Sequence, residues 1–229
     1  MFRILIRSFA CFSGLLTLAA VVACNSTSAR AGATAKIPNP VVDDSLAATR
    51  GQQTAVFAGG CFWGIQAVFE QVKGVASATS GYSGGSVKNP SYEAVSSGET
   101  GHAESVKVVY DPSQISYGQL LKIFFSVAHD PTELNRQGPD TGTQYRSAIF
   151  YGNENQRRIA RAYIEQLNQA KVFPRPIVTQ VVALSSFYPA EDYHQDYARK
   201  HPYDPYIVIN DLPKVERLRQ DLPDLCRTK

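Results

Sequence analysis

Apolar residues along the chain keep two rhythms, one of period two and one of period 3.6, and the changes between them outline a fold. Thr54 to Ala58 is a short apolar strand closed by Gly59-Gly60. Phe62, Ile65, Phe69 and Val72 then share one helical face, which predicts a helix opening at Cys61 and stopped by Gly74. Val75 to Tyr82 reads as a second strand. Ser83 to Gly101 is rich in Gly, Ser, Asn and Pro, with one helical turn expected around Tyr92. So long a segment inside a domain is more often functional than idle. Glu104 to Tyr110 alternates as a strand, and Tyr117 to Ala128 carries Leu120, Leu121, Phe124 and Phe125 as the inner face of a helix. Ser147 to Tyr151 is a strand, Asn153 to Ala170 an amphipathic helix inward at Ile159, Tyr163 and Leu167, and Ile177 to Leu184 a further strand. A short helix is expected over Ala190 to Lys200. An irregular tail follows from about residue 202, punctuated by Pro202, Pro205, Pro213 and Pro223.

The order is β-α-β-β-α-β, followed by a helix and a strand. That succession is the split βαβ of a ferredoxin-like core, an α/β (α+β) two-layer sandwich with additions and an irregular C-terminal tail.

The chain has 229 residues, enough for one sizeable core, and no internal repeat is visible. Hydrophobic residues at 44% and charged ones at 19% exclude a disordered chain. A net charge of +3, without a run of Lys and Arg among aromatics, argues against nucleic acid. The start has its own character. Arg3 and Arg7 precede an apolar run from Phe9 to Ala23, as in an export signal over residues 1–24. Val21-Val22-Ala23-Cys24 has the form of a lipoprotein box, in which Cys24 would carry a lipid anchor; Ala29-Arg30-Ala31 and Ala31-Gly32-Ala33 are alternative cleavage sites. The expectation is an exported, periplasmic protein, tethered or released. Residues 25–51, rich in Ala, Ser, Thr and Pro, read as a flexible linker, and 52–229 as the catalytic domain with its tail. Removal of Cys11 and modification of Cys24 leave Cys61 and Cys226, too few for a disulfide scaffold but enough for one redox pair. No cofactor or metal motif is present, and nothing points to an oligomer, so a monomer is expected.

Gly59-Gly60-Cys61-Phe62-Trp63-Gly64 is the most specific feature. A cysteine at a strand-to-helix turn meets free N–H groups and the helix dipole, which in known cases bring a thiol pKa from about 8.5 to about 3.5–7.5. A lowered pKa is therefore expected for Cys61. An inert core cysteine is the ordinary alternative. A dithiol oxidoreductase would need Cys-x-x-Cys, and position 64 is Gly. A cysteine hydrolase or acyltransferase needs a His base, which His102, His129, His194 and His201 leave open. A non-enzymatic binding module, with Cys61 dispensable, is the third class.

Seven ordered motifs between about Thr54 and Val208 resemble one family, peptide methionine sulfoxide reductase A. They are Gly60-Cys61-Phe62-Trp63-Gly64, Gly81-Tyr82-Ser83-Gly84-Gly85, Pro90-Ser91-Tyr92-Glu93, Gly101-His102-Ala103-Glu104, His129-Asp130-Pro131, Arg136 to Ser147, and Ala190-Glu191-Asp192-Tyr193-His194-Gln195. The resemblance implies thiol-dependent reduction of methionine-S-sulfoxide, free or in proteins, through a sulfenic acid on Cys61. It implies that Glu104 protonates the sulfoxide oxygen, and that the hydroxyls of Tyr92 and Tyr145 hold that oxygen. Phe62 and Trp63 would wall the substrate methyl group with Tyr206, and Asp140 would orient substrate and water. His102 and His194 would be supporting residues. Singly, each has a commonplace reading: Glu104 as an edge charge, the tyrosines as core, Asp140 as a turn residue.

The departure from the family lies in regeneration. Some members carry two Cys in a Gly-rich tail soon after a Tyr matching Tyr206, whereas here Pro205-Tyr206-Ile207-Val208-Ile209-Asn210 has none. Two routes follow: a mobile tail lets Cys226 resolve the sulfenic acid, or a thioredoxin-like or other external thiol reduces it directly. The single Met is Met1, within the expected signal.

Overall fold

The computed structural model describes residues 37–227; the expected export signal, Cys11, Cys24 and the expected linker up to residue 36 lie outside the described residues. From Ile37 onward the expected linker is not free. Ile37 and Val42 pack against the core, the Tyr163 hydroxyl donates to the Pro38 carbonyl at 2.7 Å, and Gln166 brackets Asn39 and Val41. Composition marked this stretch as a tether because it lacks apolar period. It docks instead through a few anchors and side-chain-to-backbone bonds, which leave no periodic signature.

Six strands form one sheet. In chain order come β1 (Gln53–Ala58), α1 (Phe62–Glu70), β2 (Val75–Ser83), α2 (Tyr92–Ser96), β3 (Ala103–Tyr110) and α3 (Tyr117–Ile123), the last running on as a π-helical turn over Phe124–Ala128. There follow β4 (Arg136–Gln137) and β5 (Asp140–Thr141), a separate two-stranded hairpin, then β6 (Ala148–Tyr151), α4 (Glu154–Gln169), β7 (Gln180–Ala183) and β8 (Phe187–Pro189). The chain ends with α5 (Tyr197–Lys200) and α6 (Leu212–Asp221). The sheet order is β7-β6-β1-β3-β2-β8. Its centre, β6-β1-β3-β2 with every pair antiparallel, is the predicted split βαβ: β3 lies between β1 and β2, and α1 crosses over it. β7 extends the sheet in parallel beside β6, and β8 closes the far edge on β2.

Alternation along β1 divides the core. Ala55 and Phe57 face the large cluster; Val56 and Ala58 face a smaller one with Ala103, Ala148 and Phe150. Phe57 stacks between Phe69 of α1 and Phe124 of the π turn, with ring centroids 5.3 and 5.0 Å away. Burying such a ring contributes about 1.5–3 kcal/mol. Ser116 starts α3 with a full capping box to Gln119, and Asp43 of the docked arm accepts the Gly118 N–H at 2.8 Å.

The C-terminal third departs from expectation. The helix predicted over Ala190–Lys200 is broken, because Gln195 turns its side chain inward to bond Ser80 and the Ala190 carbonyl, and Asp196 takes a left-handed φ of 57°. The tail is ordered as well: α6 buries Val215 and Leu218, and Pro213 occupies its first turn, where proline is tolerated. Proline there opens a helix and does not mark an irregular tail. α6 packs on α1 and on the π turn.

Candidate active site

Cys61 is the residue that caps α1, and its thiol is buried. Gly60 before it has a φ of +94°, and a Cβ there would come within 2.5 Å of Gln137, so the approach to the cysteine requires glycine. Glu104 on β3 lies opposite Tyr82 in register and points its carboxyl at the first turn of α1, accepting the Phe62 N–H at 3.0 Å. The Cys61 thiol and the Glu104 carboxyl thus converge on one helix N-terminus.

Burial dominates the electrostatics. Glu104 is 3% exposed, and desolvation, against the pull of the Phe62 N–H and aided by the negative Asp140 and Asp211, pushes its carboxyl up to about 8. It is therefore mostly protonated at neutral pH. The Cys61 thiol is also pushed up, by burial first and then by Glu104 and Asp211, with the Trp63 N–H and Lys214 pulling the other way. This corrects the lowered pKa expected from the helix position: the helix N-terminus contributes, but a fully enclosed sulfur facing two carboxyl groups loses more than one N–H returns.

The tyrosines complete the cluster. Tyr92 begins α2, and its N–H donates to Glu191 Oε1 at 2.8 Å, while the Tyr82 hydroxyl donates to Glu191 Oε2 at 2.8 Å; Glu191 thereby ties α2 to β2. Tyr145 ends a short 3-10 turn over Thr143–Tyr145. The phenols of Tyr92 and Tyr145 are held above their ordinary range, chiefly by burial, and both feel the charges of Glu104 and Cys61. Both remain proton-bearing donors near neutral pH. Tyr206 donates its hydroxyl to Asp140 Oδ2, which brings the tail and the β4–β5 hairpin together.

Trp63 forms the aromatic wall. Its ring stacks on Tyr197 at 3.8 Å and meets Tyr206 edge-on at 5.9 Å, and its indole N–H donates to His194 Nδ1 at 3.2 Å. His194 lies 5.1 Å from Phe62 and 4.4 Å from Tyr92, ring to ring. The structure therefore gathers Cys61, Phe62, Trp63, Tyr92, Glu104, Asp140, Tyr145 and Tyr206 in one place. The roles of Glu191 and Tyr197, and of the buried pair Asp211 and Lys214, were not visible in the sequence. They lie on elements far from Cys61 in the chain, and only Asp211 and Lys214, an i,i+3 pair, share a spacing.

No histidine is placed as a base for Cys61 among the described residues. His129 is pushed down to about 3 by burial and bonds the Phe124 carbonyl and the Ser147 hydroxyl. His102 shapes the Gly-rich loop through Gly85 and Val87, His194 accepts from Trp63, and His201 lies beside Tyr197.

Cys226 is not brought to the site. It forms a β-bridge with Val72, flanked by Lys73 N–H to Leu225 and Arg227 N–H to Gln71, both at 2.8 Å. These contacts hold it at the end of α1 remote from Cys61, about 14 Å of helical rise away, whereas a disulfide needs Cα atoms within about 7 Å. The tail is a packed element, and not the mobile arm expected.

Residues 53–224 match the sequence model of the family described as peptide methionine sulfoxide reductase. The chain belongs to that family. Peptide methionine sulfoxide reductase MsrA 2 of Mesorhizobium japonicum is 58% identical to it over 182 residues, 80% of this chain and 93% of the relative. The protein of the same name from Synechocystis sp. is 54% identical over 195 residues, 84% and 91% of the two chains. Among solved structures, methionine sulfoxide reductase A of Corynebacterium diphtheriae is similar at a TM-score of 0.60 and 36% identity, covering 76% of this chain and 89% of that one. Mxr1 from Saccharomyces cerevisiae in reduced form gives 0.61 at 31% identity, covering 70% and 94%. The chain is thus a reductase, and the hydrolase and binding-module readings lapse.

Proposed function

We propose that Cys61 performs the thiol-dependent reduction of methionine sulfoxide with Glu104 as its proton donor. The observation that carries this reading is a buried carboxyl, held up to about 8, bonded to the N–H of the residue after the nucleophile. Sulfoxide oxygen leaves poorly unless protonated. Cys61 sulfur attacks the sulfoxide sulfur as Glu104 gives its proton to the oxygen, and the Glu104 carboxylate so formed takes up the proton of the Cys61 thiol. The oxygen then passes to Cys61 as a sulfenic acid and methionine departs. Tyr92 and Tyr145 donate to the oxygen as charge builds on it. Phe62, Trp63 and Tyr206 take the methyl group, and Asp140, through its bond to Tyr206, sets the far wall. The resemblance assigns the S epimer as substrate.

An external dithiol of the thioredoxin type closes the cycle: its first thiolate attacks the sulfenic sulfur and releases water, and its second frees Cys61 and leaves the donor as a disulfide. The seat of Cys226 beside Val72 supports this route over internal resolution. Export is likewise part of the reading. It rests on Arg3, Arg7 and the run from Phe9 to Ala23, and on a family match that begins only at residue 53. Mass spectrometry of the protein from its native host should find a processed N-terminus; an intact Met1 on cytosolic protein would reject export. The catalytic reading is tested by single turnover of the reduced protein with each separated epimer of a methionine sulfoxide peptide. One methionine per Cys61 from the S epimer alone is expected, and methionine from neither would overturn it.

A further inference from the structure

Gly64 lies in the first turn of α1, three residues after Cys61, and has no room for a side chain: a Cβ there would collide with the Asp211 carboxylate and lie 2.8 Å from Lys214 Nζ. Asp211 is fully buried at the start of α6, and Lys214, almost as enclosed, bonds its Oδ1 at 3.0 Å. Asp211 Oδ2 has no hydrogen-bond partner among the described residues. A buried ion pair is a poor stabiliser, since desolvation offsets most of its attraction and apolar replacements are often neutral. This one is placed where its field reaches the nucleophile.

We propose that Asp211 and Lys214 are positioning residues for the Cys61 chemistry, a charge pair seated against the first turn of α1 through Gly64 that supplies the fixed field in which Cys61 ionises. The proposal rests on the reading of Cys61 as the nucleophile. The groups facing the thiol are Glu104 from β3, Tyr92 from α2, Tyr145 from the 3-10 turn, Tyr197 from α5, and Tyr206, Asp211 and Lys214 from the C-terminal segment. Tyrosines near neutral pH are uncharged and Glu104 is mostly protonated. Lys214 is thus the one cation in this set, and Asp211 its counterweight. Lys214 draws the thiol toward thiolate, and Asp211, whose effect on it is the larger, holds it back. A resting thiol kept protonated is protected from wasteful oxidation, while the cation that stabilises its ionised form stays in place for the reaction.

The test is the pH dependence of Cys61 alkylation by iodoacetamide in the full-length protein, read by mass spectrometry of the peptide that contains Cys61. Asp211→Asn should lower the midpoint by about one unit, a tenfold faster alkylation at pH 7. Lys214→Met should raise it by a similar amount, and Lys214→Arg should restore the wild-type profile. A midpoint unmoved in Asp211→Asn, or moved in the same direction by both Asp211→Asn and Lys214→Met, would overturn the proposal. If Lys214→Met fails to fold, the near-isosteric Asp211→Asn decides alone. Single turnover of the wild type with the S-sulfoxide peptide runs alongside: its failure would remove the reductase role of Cys61 without touching the alkylation profile, so the two failures are distinct.

Discussion

Glu104 places a cost and a benefit on one atom. Its proton is held far more tightly in the folded protein than in the unfolded chain, where a value near 4.5 is ordinary. Folding therefore takes up a proton at neutral pH, and stability falls as pH rises from about 4.5 to about 8, levelling off beyond. Glu104→Gln removes that penalty while its amide oxygen can still accept the Phe62 N–H. The variant should melt higher than the wild type at pH 8, by on the order of a few kcal/mol, with the difference vanishing near pH 4. It should also lose turnover by about 10²-fold or more, together with the decline of wild-type rate above pH 8 that loss of the donor proton produces. Melts and single-turnover rates across pH 4–9 check both limbs. Unchanged turnover would remove Glu104 from the chemistry, and an unchanged melt would deny it a buried charge. At this scale the sequence was legible unevenly. Cys61 announced itself through its glycines and its place after a strand. Glu104 and the tyrosines drew their roles from the family resemblance, and the sign of the Cys61 shift depended on burial first and then on two carboxyl groups distant in sequence.

Elements were legible where one periodicity persisted. β1, β2, β3, β6, α3 and α4 lie within a residue or two of their predicted bounds, α3 with its π turn, because each has one face committed to the core. Prediction failed where order comes from single polar contacts. The arm from Ile37 to Gly51 is a clear case, since its Asp43 bonds both the Ser116 hydroxyl and the Gly118 N–H at the start of α3. An external cap of this kind satisfies an N–H that the helix itself cannot. Asp43→Ala should cost about 1 kcal/mol, as loss of a helix cap does, and leave the rate of single turnover unchanged because Asp43 bonds Ser116 and Gly118, which are not among the site residues. Thermal melts at matched pH read the first, and stopped assays with the S-sulfoxide peptide the second. An unaltered melt would mean that the arm rests on α3 without supporting it.

The whole molecule sets the route of regeneration. A resolving cysteine must come within disulfide distance of Cys61. The present tail would first have to give up its bridge to Val72, the bonds of Leu225 and Arg227 to the chain around it, and the guanidinium of Arg227 on the Val72 and Val75 carbonyls. Each net hydrogen bond contributes only about 0.5–1.5 kcal/mol, so the last turn could detach. Detachment of that turn is not enough, however. Cys226 follows directly on α6, which packs on α1 and has Val215 and Leu218 in the main core. Moving Cys226 to Cys61 would require α6 to unpack, with several kcal/mol of apolar burial lost in every cycle. An external dithiol avoids that loss. Cys226→Ser should therefore keep wild-type turnover with a thioredoxin-type donor, and a single turnover with the S-sulfoxide peptide should consume one thiol of the pair Cys61 and Cys226, leaving Cys226 free to alkylation. Loss of both thiols, with turnover falling tenfold or more in the serine variant, would instead show that α6 opens during the reaction and that the tail takes part in it.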